Sequence, residues 1–155
     1  TSPIIMMLLE ERLPIKSITV MVQKEAATRL CAELGTRDVG AVSVAVRYFS
    51  TPKVLFNVSR GSFMPSPNVD SCVIRLDINE NTPDGISDEQ FFFKVVRGAF
   101  SQRRKTLANS VSSSLGIDKS KVFEAIKQVG LSENIRPEQL KMQDFAAVSE
   151  ALRKI

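Results

Sequence analysis

The chain has 155 residues, of which 43% are apolar and 25% are charged, a composition typical of folded globular proteins. It carries a net charge of +4 and contains no histidine, which excludes a histidine general base and the Ser/His and Cys/His nucleophile pairs. The two cysteines lack CxxC spacing, so we expect reduced thiols and no metal site.

The sequence opens with patterns of a helix, a strand and a second helix. The longest apolar run, residues 4–9, is predicted to lie in a helix. It is far shorter than the roughly 20 residues of a membrane span, so we expect no membrane partner and a cytoplasmic protein. The β-branched residues 15–22 predict a buried strand, and residues 24–34 a helix with an ion pair between Glu25 and Arg29.

The next region combines an ambiguous segment with two strands. Residues 40–50 fit both the alternation of a strand and the apolar face of a helix, and we favour a helix. Strands are predicted at 54–58 and 71–78, with a proline-containing loop at 61–70 between them. Helices and strands therefore share the first part of the chain, as they do in α/β domains.

Strand patterns end near residue 78, and the remainder is predicted to be helical. Residues 79–86 are an acidic, turn-rich linker, after which Ser87 and Gln90 have capping-box spacing. Further helix boundaries are expected at Gly116, Asp118 and Gly130, a short turn at Pro137, and a last amphipathic helix around Phe145, Val148 and Leu152. The predicted fold class is α/β then all-α, with a first part at 1–78, a linker at 79–86 and a helical domain at 87–155.

The proline-containing loop is the most specific local feature. Pro65 and Pro67 stand one residue apart and would stiffen the loop into extended geometry, so the ring of Phe63 would be held in place. A fixed ring beside a sheet edge can stack on a flipped-out base. The alternative is a core phenylalanine that anchors the loop.

Basic residues are concentrated in one block. Residues 91–110 carry five basic and no acidic side chains, which suits a phosphate backbone, although charge alone also fits a solvated helix face. In one continuous helix, Lys94, Arg97 and Arg104 would form a stripe about 15 Å long. With a helix break at 102–106, the same charges would lie on a turn.

A third polar feature, Gln23-Lys24-Glu25, stands at a predicted strand-to-helix junction. Junctions of this kind often face a ligand in α/β sheets. The alternative is helix capping together with an ion pair.

In this order and spacing, the three features resemble the rRNA adenine dimethyltransferases. The resemblance covers nearly the whole chain, and its most specific parts are Gln23-Lys24-Glu25, the loop with Phe63, Pro65, Pro67, Val69, Asp70 and Ser71, and Phe100-x-Gln102-Arg103-Arg104-Lys105-Thr106. It implies the second half of a Rossmann-like methyltransferase domain followed by a small helical rRNA-binding domain. The implied reaction transfers methyl groups from S-adenosylmethionine to two adjacent adenosines near the 3′ end of small-subunit rRNA, with that rRNA or the assembling subunit as partner.

The resemblance also implies roles for individual residues. Phe63 would face the target adenine, with Pro65, Pro67 and Asn68 in its substrate loop. Contacts to rRNA would come from Arg103, Arg104 and Lys105, to which the charge pattern adds Lys94 and Arg97. The family's glycine-rich donor loop and its Asn-Leu-Pro-Tyr-type motif have no match in this sequence. We therefore expect S-adenosylmethionine to bind only the full-length protein, and this chain to be inactive alone. Departures from the family pattern occur at Val39, Arg47, Ser66 and Asn68.

Two other functions remain open at this point. The chain could be a stand-alone RNA-binding or ribosome-docking module without catalysis. A helix-turn-helix DNA reader at 103–115 and 118–129 is disfavoured because the basic residues lie at the start of the first helix, and no DNA partner is expected. Enzymes that methylate large-subunit rRNA share the proline loop, but the run from Gln102 to Thr106 favours the small-subunit type.

Overall fold

In the computed structural model, residues 2–155 are described and form three β-strands and seven α-helices; Thr1, the predicted start of the first part, lies outside the described residues. The strands are β1 (Ser17–Gln23), β2 (Ser50–Val58) and β3 (Ser71–Ile78). The helices are α1 (Ser2–Glu10), α2 (Lys24–Leu30), α3 (Ala41–Phe49), α4 (Glu89–Ala99), α5 (Leu107–Leu115), α6 (Lys119–Gln128) and α7 (Met142–Arg153). Single 3₁₀ turns occur at Arg60–Ser62 and Pro137–Gln139.

The three strands form one sheet in the order β1-β3-β2, with both pairings antiparallel. Alternate residues of the central strand are buried, among them Ile74 and Leu76, because successive side chains point to opposite faces of a sheet. The opposite face is open in this chain, where Met21 and Phe56 flank Val73 and are 48% and 57% exposed. Only one face of the sheet therefore contributes to the core.

The second strand is longer than the sequence predicted. It was expected at 54–58 but begins at Ser50, directly after α3, where Ser50 pairs with Ile78. Pro52 concealed this start because proline is unusual in strands. It is tolerated here because β2 is an edge strand, where some of the backbone N–H groups have no partner strand and proline is accepted.

The favoured helix at 40–50 is confirmed as α3, whereas α2 is shorter than predicted and ends at Leu30. The guanidinium of Arg47 donates hydrogen bonds to the carbonyl oxygens of Ala32 and Cys31, both at 2.9 Å. These carbonyls follow the helix, so the departure from the family pattern at Arg47 supplies donors where α2 ends.

Beyond β3 the described residues contain helices and turns but no strand. The prediction that Ser87 caps α4 is wrong. The N-cap is Asp88, whose carboxylate accepts the hydrogen bond from the amide of Phe91. Ser87 is engaged elsewhere: its amide and hydroxyl donate to Glu150 of α7 at 3.0 and 2.9 Å. These two hydrogen bonds hold the pKa of Glu150 below its usual value.

Several of the predicted helix ends are confirmed. Asp118 caps α6 through Ser120, whose hydrogen bonds lower the pKa of that carboxyl. Gly116 ends α5 with a φ of 68°, a left-handed conformation that glycine adopts without steric cost. The last amphipathic helix is α7, in which Phe145, Val148 and Leu152 are buried.

The sheet part and the later helices meet where α3 packs against α4. The Tyr48 ring lies 5.5 Å from that of Phe92 and 4.8 Å from that of Phe93, and Phe49 stacks on Phe93 at 5.7 Å. The buried residues on both sides of this contact belong to one continuous core. The hydroxyl of Tyr48 donates to the carboxylate of Glu89 at 2.7 Å.

We expect Tyr48 to titrate well above an ordinary tyrosine. Burial, then the hydrogen bond and charge of Glu89, raise the pKa of Tyr48 from 10.0 to about 12. Because the folded state holds this proton more tightly than the unfolded state, the resulting stability is present below pH 10 and is lost between pH 10 and about 12. The chain has one tyrosine and no tryptophan, so near-ultraviolet phenolate absorbance during an alkaline titration reports this residue alone. Titration of the folded chain near pH 10 would contradict the assignment.

Candidate nucleic-acid interface

A basic cleft of about 890 Å³ lies between the N-terminal end of α3 and the turn that joins α4 to α5. Gly40 and Ala41 line one side, and Phe100 and Gln102 line the other. Its charged lining consists of five arginines and one glutamate: Arg29, Arg37, Arg97, Arg103, Arg104 and Glu138. We call the volume enclosed by these residues the arginine cleft.

The arginines of the cleft have no acidic partner among the described residues. Within residues 2–155 none of the five takes part in an ion pair, and Glu138 is itself paired with Arg136 at 3.0 Å. Like charges held around one cavity repel each other and create a positive potential that attracts polyanions. Guanidinium groups also match phosphate with two parallel hydrogen bonds.

A helix break carries Arg103 and Arg104, so of the two geometries that the sequence allowed, the turn is observed. Helix α4 ends at Ala99 and α5 begins at Leu107. The guanidinium of Arg136 donates to the carbonyl oxygen of Arg103 at 3.1 Å, and the amide of Leu107 donates to that of Ile135 at 2.9 Å. The segment before the last 3₁₀ turn thus holds this basic turn in place.

Arg29 faces the cleft from α2, and the expected ion pair with Glu25 is wrong, since neither residue forms an ion pair in the described part of the chain. A Cβ at Gly40 would lie 3.1 Å from Nη1 of Arg29, so the guanidinium lies against bare backbone there. Ser43 links α2 to the start of α3. Its hydroxyl accepts a hydrogen bond from the amide of Gly40 at 3.0 Å and donates one to the carbonyl oxygen of Arg29 at 2.5 Å.

Sequence reasoning missed Arg29 and Arg37 as members of a basic site. They lie far from the basic block along the chain, and Glu25 offered Arg29 an apparent partner. The only sequence signal was the proximity of Arg29 to the Gln23-Lys24-Glu25 segment.

The predicted basic residues are only partly brought together. Arg97, Arg103 and Arg104 line the arginine cleft. Lys94 lines a separate hollow of about 490 Å³, which Arg97 also lines and which contains the acidic Glu10 and Glu89. Lys105 is exposed on the basic turn but does not line the cleft.

The proline loop is tied down by its own hydrogen bonds. The carboxylate of Asp70 accepts from the amide of Arg60 at 2.9 Å, and the guanidinium of Arg60 donates to the carbonyl oxygen of Asn68 at 2.9 Å. The hydroxyl of Ser66 donates to the carbonyl oxygen of Arg60 at 3.0 Å. Phe63 is partly buried in this loop, and the Met64–Pro65 peptide bond is cis.

The loop adjoins the junction of β1 and α2. The amide of Lys24 donates to the carbonyl oxygen of Asp70 at 3.0 Å. A polar pocket of about 450 Å³ lies between the two segments, lined by Gln23, Lys24, Glu25, Arg60, Asn68 and Asp70 among others. Two of the three sequence features thus lie side by side.

The glycines, carboxylates and thiols of the chain are the groups that could form a cofactor or metal site. The seven glycines form no GxGxG pattern, and neither strand-to-helix connection in residues 2–155, the direct one at Lys24 or the one at 79–88, is a glycine-rich loop. The described residues contain no group of three metal-ligating side chains and no helix long and apolar enough to cross a membrane.

Comparison with known proteins gives consistent matches. The family model described as ribosomal RNA adenine dimethylase matches residues 1–154. Ribosomal RNA small subunit methyltransferase A of Geobacillus thermodenitrificans is 48% identical over 155 residues, covering 98% of this chain and 53% of that protein. The protein of the same name from Alkaliphilus oremlandii is 44% identical, covering 99% and 54%.

The fold also occurs in solved structures. The crystal structure of a dimethyladenosine transferase from Plasmodium falciparum matches with a TM-score of 0.76 at 23% identity, over 99% of this chain and 63% of that one. The chain spans about half the length of the curated relatives it matches.

Proposed function

The chain belongs to the ribosomal RNA adenine dimethylase family, and from that premise we propose that it is the RNA-binding part of a methyltransferase. The full-length enzyme transfers methyl groups from S-adenosylmethionine to two adjacent adenosines near the 3′ end of small-subunit rRNA. It does so in the cytoplasm during ribosome biogenesis. Two relatives named as small-subunit methyltransferases support this target.

The observation that carries the proposal is the arginine cleft. Five guanidinium groups, none of them in an ion pair within residues 2–155, surround about 890 Å³ of open volume. A phosphodiester backbone neutralises such an array and releases counterions. We therefore assign phosphate contacts to the five arginines of the cleft: Arg29, Arg37, Arg97, Arg103 and Arg104. Lys94 and Lys105 belong to the basic block at 91–110 but do not line the cleft, and they are assigned as outer contacts.

The two parts of the chain are assigned different roles. We assign residues 1–78 to the second half of a Rossmann-like methyltransferase domain, 79–86 to a linker and 87–155 to a helical rRNA-binding domain. The helical part supplies Arg97, Arg103 and Arg104, while the sheet part supplies Arg29 and Arg37. RNA binding would thus require both parts.

Phe63 is assigned to the target adenine. A base taken out of its helix needs a face on which to stack, and the hydrogen bonds between Arg60, Asn68 and Asp70 hold the loop that carries the ring. Pro65, Pro67 and Asn68 would contact the flanking nucleotide. In the full-length protein the donor supplies the methyl group, whereas these residues only position the base.

Replacement of Phe63 in the full-length protein tests whether its ring stacks on the target adenine. Stacking of a base on an aromatic ring contributes about 1–3 kcal/mol. We therefore expect Phe63→Leu to lower kcat/KM for rRNA methylation by about 5- to 150-fold, while Phe63→Tyr stays near wild type. Equal rates for both variants would show that the ring anchors the loop and does not touch the substrate.

For this chain, a measurement of nucleic-acid binding without catalysis tests the proposal. The 155-residue chain should bind a small-subunit rRNA fragment more tightly than a DNA duplex of equal length, with affinity falling steeply as salt rises. Preference for the DNA duplex would instead favour a helix-turn-helix reader at α5 and α6.

Calorimetry with S-adenosylmethionine addresses the second half of the proposal, namely that this chain neither binds the donor nor methylates RNA alone. No saturable heat is expected. Saturable binding would contradict the assignment of the donor site to residues outside the chain. Family membership favours an enzyme part over a stand-alone docking module, and methylation by the full-length protein separates the two.

A further inference from the structure

The arginine cleft has two sides that belong to different helices. Arg29 and Arg37 stand on the side of α2 and the segment before α3, while Arg97, Arg103 and Arg104 stand at the end of α4 and on the turn after it. The spacing between the two sides therefore depends on how α3 packs against α4.

Helices α3 and α4 lie side by side and run in opposite directions. Ala41, the first residue of α3, and Arg97, in the last turn of α4, line the cleft. At the other end, Tyr48 in the last turn of α3 contacts Glu89, the first residue of α4. At 1.5 Å per residue, about 12 Å of α4 separate Glu89 from Arg97.

Glu89 joins three elements at this distant end. Its Oε2 accepts a hydrogen bond from the hydroxyl of Tyr48 at 2.7 Å. The same oxygen contacts the guanidinium of Arg12, which follows α1. Tyr48 is 2% exposed and is fixed by the rings of Phe92 and Phe93. A carboxylate that bonds two such partners restrains both the rotation and the sliding of α4 against α3.

We propose that Glu89 is a positioning residue for RNA binding, which fixes through Tyr48 and Arg12 the distance between the two sides of the arginine cleft. This inference rests on the proposed RNA-binding function of the cleft. Glu89 does not line the arginine cleft; it lines the separate hollow that holds Lys94 and acts on the cleft through α4. Losing its contacts loosens the packing of α4 on α3 and weakens the joint engagement of one RNA backbone by the two groups of arginines.

The test uses Glu89→Gln, with Glu124→Gln as the matched control, in salt-dependent binding of the chain to a small-subunit rRNA fragment. Both substitutions remove one negative charge, which by general electrostatics favours RNA binding. Glu124 is exposed on α6 and forms no ion pair in the described residues. We expect Glu124→Gln to bind as wild type or slightly more tightly, and Glu89→Gln to bind about fivefold more weakly although it too has lost a negative charge.

A second variant removes the hydrogen bond with no change in charge. Tyr48→Phe keeps the ring among Phe92 and Phe93 and should weaken RNA binding in the same direction as Glu89→Gln, by a smaller factor because Arg12 still contacts Glu89. Circular dichroism and urea unfolding confirm that each variant is folded at the binding temperature.

Coupling to the cleft gives the readout that general destabilisation would not produce. Arg29→Ala should weaken RNA binding in the wild-type background but have a smaller effect in the Glu89→Gln background, because the arginines there no longer act together. Equal effects of Arg29→Ala in both backgrounds would overturn the positioning role.

The outcomes separate this inference from the function on which it rests. If charge reversal at Arg103 and Arg104 weakens binding but Glu89→Gln behaves like Glu124→Gln, the cleft binds RNA and the positioning role is wrong. If charge reversal has no effect, the proposed function fails and the positioning role fails with it.

Discussion

Charge reversal at both Arg103 and Arg104 should weaken binding of the chain to small-subunit rRNA by about 100-fold or more near 0.1 M salt. Hydrogen bonds to charged groups contribute about 1.5–3 kcal/mol each, so the loss of two corresponds to at least two powers of ten. The introduced glutamates add repulsion from the phosphates. Both side chains line the cleft from an exposed turn, and the core is not disturbed.

The salt dependence of the same measurement identifies the cause. Each phosphate contact contributes about 0.9 to the slope of log K against log salt on duplex nucleic acid and about 0.7 on single strands. The double variant should therefore flatten the slope by about 1.4–1.8. Lys119→Glu with Lys121→Glu makes the same change in net charge on α6, outside the cleft lining. Equal losses in the two double variants would mean that total charge, and not the cleft, determines binding.

Phe92→Ala should reduce the free energy of unfolding by about 3–5 kcal/mol, the usual range for a buried phenylalanine. Phe92 is fully buried in α4, with its ring 5.5 Å from that of Tyr48 and 5.2 Å from that of Phe93. Its removal leaves a cavity where the sheet part meets the later helices. Such a loss is a large fraction of the stability of a typical small domain.

Urea unfolding followed by circular dichroism measures this effect. Phe56→Ala is the matched control, because it deletes the same atoms from a side chain that is 57% exposed on the open face of the sheet. We expect its loss to stay below about 1 kcal/mol. Similar losses for the two variants would contradict the burial pattern on which the junction of α3 and α4 depends.

Features fixed by neighbouring residues were determined by the sequence itself. The caps at Gly116 and Asp118 and the apolar face of α7 were predicted correctly, because a helix end depends on a few adjacent side chains and their backbone conformation. Family membership was likewise carried by short ordered segments, and the match over residues 1–154 confirms it.

Other features were decided by contacts between distant segments. Ser87 has the capping-box pattern, yet Glu150 of α7 occupies its hydroxyl and Asp88 caps the helix instead. Arg47 contacts the carbonyls at the end of α2, which local propensity had extended to residue 34. In both cases a tertiary hydrogen bond outweighed a local preference of about 1 kcal/mol or less.

The arginine cleft itself shows the same division. The sequence determined that residues 91–110 are basic, but only the packing of α3 on α4 brought Arg29 and Arg37 to the same cavity and left Lys94 and Lys105 outside its lining. Charge is a property of each residue, whereas the convergence of charges depends on long-range packing. The basic character of the site was therefore predictable from the block at 91–110, whereas its full set of residues and its geometry were defined only by the tertiary structure.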